Sequence, residues 1–72
     1  MLAVGKQIRK TRQNKNLSQR DLANKIGYLS QSQISKIESG YRKTTVQDLI
    51  EIANALGVPV DELISAKKGA DV

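Results

Sequence analysis

Between Gly27 and Gly40 runs a segment dense in small hydrogen-bonding side chains, Ser30-Gln31-Ser32-Gln33-Ile34-Ser35-Lys36-Ile37. Glutamine presents a carbonyl and an amide side by side and can bond adenine N6 and N7 together. Serine donates or accepts, and lysine reaches guanine O6/N7 or a phosphate. Gln31, Ser32, Ser35 and Lys36 therefore carry the chemistry of hydrogen-bond readout, not of bond making. Catalytic options are few. Cys and His are absent, which removes thiol nucleophiles, imidazole acid–base chemistry and metal sites of the Cys/His kind. Ser65-Ala66-Lys67-Lys68 matches an S-x-x-K signature in form only, with no pocket-forming sequence around it. Asp61 and Glu62 are adjacent and cannot face each other on a helix. There is no glycine-rich phosphate loop. The sequence predicts no enzyme, no metal and no cofactor.

Seventy-two residues allow one small domain, which buries only about 60% of its unfolded surface. The opening Met1-Leu2-Ala3-Val4 is too short for a signal peptide, and no run approaches a membrane span, so a cytoplasmic protein without membrane contact is expected. The net charge of +5 is unevenly placed. Residues 1–43 hold ten Lys/Arg against Asp21 and Glu38, whereas residues 44–72 hold two against five acids. The basic first half suits a polyanion.

No stretch alternates apolar and polar residues in the way of a strand, and the periodicity predicts five short helices. The first spans about Leu2–Asn14 with Val4 and Ile8 inward and Lys6, Arg9, Lys10 and Gln13 outward. Ser18 with Asp21, Ser30 with Gln33 and Thr45 with Asp48 have capping-box spacing and open the next three, which stop near Gly27, Gly40 and Gly57. Val46, Leu49, Ile52, Ala53 and Leu56 are the expected apolar face of the fourth; Val58–Ile64 is the fifth. Residues 66–72 are expected to be a flexible tail beyond a domain over 1–65. Helices this short are marginal alone, so an all-α, compact five-helix domain with one shared core is expected. Within it, two short helices meet at a tight Gly-containing turn. The second would be pinned by Ile34 and Ile37 with its polar first turn outward, which describes a helix-turn-helix.

The run Leu17-Ser18-Gln19-x-x-Leu22-Ala23…Ile26-Gly27, then Ile34-Ser35-x-Ile37-Glu38-x-Gly40, then Leu49…Ile52-Ala53-x-Ala55-Leu56-Gly57-Val58…Leu63-Ile64 resembles the Cro/phage-repressor, or XRE-like, family over about residues 4–65. The resemblance implies a lambda-repressor-like fold that places its third helix in the major groove of double-stranded DNA. It implies that Gln31, Ser32, Ser35 and Lys36 face base edges. Gln19 would meet the DNA backbone, and Gln33 would point sideways toward phosphate or water. The loop Tyr41-Arg42-Lys43-Thr44 would flank the same half-site, and Arg12 and Glu38 would form a partly buried structural ion pair. Two departures stand out. Tyr28 and Leu29 occupy a turn where similar domains have one residue, so the base-facing set is aligned backward from Ile34; Thr44 stands where a proline is common.

Lys6, Arg9, Lys10, Arg42 and Lys43 are the expected phosphate contacts. A homodimer is expected, with Leu56, Val58, Pro59, Val60, Leu63 and Ile64 as its candidate surface, because one half-site gives too little specificity. The expected function is that of a transcription regulator, a repressor of phage, plasmid or mobile-element type. Alternatives are an antitoxin-type protein that binds a toxin and its own promoter, and a restriction–modification controller. With only Tyr28 and Tyr41 as aromatics, RNA base stacking has little to work with.

Overall fold

The computed structural model describes residues 4–64, which form five helices and no strand: α1 (Val4–Asn14), α2 (Gln19–Ile26), α3 (Gln31–Glu38), α4 (Val46–Leu56) and α5 (Val60–Ile64). Leu2, Ala3 and the expected tail over 66–72 lie outside the described residues. All three capping boxes close as their spacing predicts. Ser18, Ser30 and Thr45 each accept from the backbone N–H three residues on, and the Asp21, Gln33 and Asp48 side chains accept the cap's own N–H in return. Each such cap contributes about 1 kcal/mol. The bonds from Ser18 hold the Asp21 carboxyl below the ordinary aspartate range.

The helix ends are equally local. Asn16 adopts φ +60°, a left-handed conformation that asparagine tolerates better than most residues. It allows Leu17 N–H to reach back to Arg12 O (3.1 Å) and Asn16 N–H to Gln13 O (2.9 Å), satisfying carbonyls that the end of α1 would leave unpaired.

The core is made by Ile8, Leu22, Ile34, Ile37, Ile52 and Leu63, all fully buried, with Ala23, Leu29, Ala53 and Leu56 around them. Each large member gains about 1.5–3 kcal/mol from burial. α3 packs between α1 and α2, α4 backs α2, and α5 closes against α1 and α4. α1 comes unusually close to the C-terminal end of α3. A Cβ on Gly5 would lie 2.4 Å from Ile37 O and 2.6 Å from Glu38 O, so only glycine lets these two backbones meet.

Two expectations need correction. Val46 is not part of the apolar face of α4: at the first helical position it projects past its neighbours and is 75% exposed. Leu56 and Leu63 are not available to a second copy, because α4 and α5 turn them into the monomer core at 3% and 0% exposure. Of the remaining candidate dimer residues, Val58 and Val60 are half-buried, and Pro59 and Ile64 are exposed.

Candidate nucleic-acid interface

α3 is pinned from beneath. Ile34 and Ile37 are buried, which turns Gln31, Ser32, Ser35 and Lys36 outward, all four exposed. Gln33 has a partner already: its Oε1 accepts from Ser30 N–H at 2.8 Å, and Ser30 Oγ accepts from Gln33 N–H at 3.1 Å. What Gln33 retains for an outside acceptor is its amide NH₂.

A buried polar cluster ties this helix to the first two. Arg12 Nε donates to Glu38 Oε2 at 2.7 Å, Nη2 donates to Glu38 Oε1 at 3.1 Å, and Nη1 donates to Leu17 O at 2.7 Å. The pair is bidentate, with side-chain exposures of 9% and 3%. Gln19 joins it, its Nε2 donating to Glu38 Oε1 at 3.1 Å. Gln19 is half-buried at the start of α2, and one amide hydrogen is free of Glu38. That link was not legible beforehand, since 19 residues separate the partners.

The loop after α3 starts with Tyr41 N–H bonded to Lys36 O at 2.9 Å. Tyr41 is 84% exposed and Lys43 is exposed; Arg42 is half-buried, its Nη2 3.8 Å from Asp48 Oδ2. On α1, Lys6, Arg9 and Lys10 are exposed and fall within about 100° of arc at 100° per residue. Among the described residues the ion pairs are Arg12–Glu38 and Arg42–Asp48, so Lys6, Arg9, Lys10, Lys36 and Lys43 keep unpaired charge.

The two-residue turn is explained by what its members touch. Leu29 is buried at 6% exposure, while the Tyr28 hydroxyl donates to Asp48 Oδ1 at 3.0 Å. Asp48 is itself buried at the N-terminus of α4, where it also accepts from Thr45 N–H. Tyr28 is 53% exposed, but partial loss of water around its hydroxyl, then the bond to Asp48, pushes the phenol above its ordinary value. Sequence reasoning assigned Tyr28 no partner.

Among the described residues, no group of three or more Asp, Glu, His or Cys could hold a metal. No helix there is long and apolar enough to cross a membrane.

The comparisons with known proteins agree with this geometry. A family described as Helix-turn-helix matches residues 8–63. An uncharacterized transcriptional regulator in the ATPase CF(0) region of Rhodospirillum rubrum is 38% identical over 68 residues, covering 94% of this chain but 62% of that protein. An uncharacterized HTH-type transcriptional regulator, y4dJ, of Sinorhizobium fredii is 39% identical over 62 residues, 86% of this chain and 79% of its own. Among solved structures, the restriction-modification controller protein C.AhdI from Aeromonas hydrophila superposes with a TM-score of 0.83 at 32% identity, covering 88% of this chain and 90% of that one. The clp gene regulator ClgR from C. glutamicum does so at 0.86 and 26% identity, covering 97% and 90%. The pinned third helix, the capped turn before it and a match over nearly the whole described fold lead to one assignment: the chain belongs to the XRE/Cro-type helix-turn-helix family.

Proposed function

We propose that this chain is a sequence-specific, double-stranded DNA-binding transcription regulator that works by binding rather than catalysis, in the cytoplasm. The observation that carries the reading is the division of α3 between two buried isoleucines and four exposed polar side chains, Gln31, Ser32, Ser35 and Lys36. Its N-terminal turn offers base-edge partners in the major groove. Lys6, Arg9, Lys10 and Lys43, with Arg42, supply the salt-dependent phosphate contacts, joined by the amides of Gln19 and Gln33. Two copies meeting through Val58, Pro59, Val60 and Ile64 read a pseudo-palindromic operator and block polymerase sterically. A second reading has a specific observation behind it: the likeness to C.AhdI favours a controller of restriction–modification genes, the same DNA mechanism serving a different set of promoters.

The test is selection of duplexes from a randomised pool at near-physiological salt. The expected result is a two-fold-symmetric site with half-sites about one helical turn, roughly 34–36 Å, apart. Binding without enrichment that vanishes as salt rises overturns the reading and directs attention to a protein partner of antitoxin type.

A further inference from the structure

The turn between α2 and α3 carries Tyr28 and Leu29, and both are anchored. Leu29 enters the core. Tyr28 reaches across to α4, where its hydroxyl bonds Asp48, a buried carboxylate that also caps α4 and faces Arg42 at 3.8 Å. One carboxylate thus joins three pieces of chain: the turn leading into α3, the first turn of α4, and the loop that holds Arg42 and Lys43. On the reading above, α3 carries the base contacts and that loop carries phosphate contacts.

We propose that Tyr28 is a positioning residue for sequence discrimination: its hydroxyl, braced on Asp48, fixes the base-reading turn of α3 relative to the loop bearing Arg42 and Lys43. This rests on the DNA-binding reading. Bidentate base contacts demand placement within about 0.5 Å. Phosphate attraction is long-ranged and forgiving, and a neutral substitution leaves its charge balance untouched. Loosening the strut therefore costs specific binding and spares non-specific binding. A merely structural tyrosine would instead lower thermal stability and leave the ratio of the two alone.

The experiment measures the affinity of the full chain for its selected duplex and for a scrambled duplex, at one salt concentration. The proteins are wild type, Tyr28→Phe, Asp48→Ala and the double variant. Tyr28→Phe is expected to weaken binding to the selected duplex about two- to tenfold, the worth of one net hydrogen bond. The scrambled duplex should be unaffected. In the Asp48→Ala background, which shifts both affinities through its lost charge, Tyr28→Phe should change the ratio no further. If Asp48→Ala does not fold, the Tyr28→Phe ratio decides alone. Wild-type discrimination with a Tyr28→Phe ratio unchanged overturns the strut and leaves the DNA reading standing. No discrimination by the wild type overturns both.

Discussion

Replacing Arg12 by methionine keeps most of the side chain's length and removes its charge and all its donors. In the wild type those donors make three hydrogen bonds, two to Glu38 and one to Leu17 O. After the change the Glu38 carboxylate, with 3% of its side chain exposed, retains only the amide of Gln19. Removing one partner of a buried pair costs about 3–5 kcal/mol, because the other charge stays desolvated. A domain of 72 residues has a total stability of roughly 4–11 kcal/mol. Arg12→Met should thus consume between about a third of it and all of it, lowering the melting temperature by about 12–40 °C. Glu38→Gln should cost less, about 1–3 kcal/mol, because the amide still accepts from Arg12 or Gln19 and Arg12 keeps Leu17 O. Replacing both, Arg12→Met with Glu38→Leu, removes the stranded charge and should recover most of the loss. Urea unfolding followed by helical circular dichroism, arranged as a double-mutant cycle, measures all of this. A loss under about 1 kcal/mol for Arg12→Met, or a double variant no more stable than Arg12→Met, would refute the argument.

Four further outcomes are expected. Gly5→Ala should destabilise by about 1–3 kcal/mol in the same unfolding assay, although alanine favours helix, because its Cβ would meet backbone carbonyls at 2.4 and 2.6 Å; equal stability would mean that α1 and α3 part easily. Gln31→Ala should cost about 1–3 kcal/mol on the selected duplex and relax one base position, and an equal loss on every sequence would make Gln31 a backbone contact. Lys43→Ala should weaken all duplexes alike and flatten the slope of log affinity against log salt by about 0.9; an unchanged slope removes Lys43 from the phosphate set. Spectroscopic titration of a Tyr41→Phe variant, where Tyr28 is the remaining tyrosine, should give a midpoint above 10.0, raised by partial loss of water, by Asp48 and by Glu51 and opposed by Arg42. Since the folded value lies above the unfolded one, that contribution to stability is whole below pH 10.0 and is lost as pH rises through the folded midpoint. A midpoint at or below 10.0 would contradict the bond to Asp48.

What was legible in the sequence follows the range of the forces involved. The three capping boxes and the Gly27 and Gly57 stops depend on partners three to five residues away, and all appear where their spacing put them. The burial of Ile34 and Ile37, and with it the outward aim of Ser32, Ser35 and Lys36, needs only the angular period of a helix, whereas Gln31 falls on the flank of that stripe and is exposed at the first helical position. Periodicity says which face is apolar but not where a neighbour ends. That is why Val46, at the first position of α4, falls outside the face expected for it, and why Leu56, rightly placed on that face, and Leu63 are sunk in the core and fail as dimer surface. The contacts that join helices were hidden because they join distant residues: Tyr28 to Asp48, Gln19 to Glu38, and Gly5 to the last carbonyls of α3. Arg12–Glu38 was legible only through family resemblance.

Gly5 and Arg12, seven residues apart on α1, both act on the C-terminal end of α3. α3 is thus clamped at its C-terminal end, from below by Ile34 and Ile37, and at its entry by Leu29 and Tyr28, so that only side chains such as Gln31, Ser32, Ser35 and Lys36 project. Substitutions at the projecting positions leave the clamp alone, and exposed changes of that kind usually move stability by no more than about 0.5 kcal/mol. The identity of these exposed side chains can therefore drift without endangering the fold. On the proposed reading, a lineage built on this scaffold would change the sequence it reads by exchanging a few exposed side chains of α3.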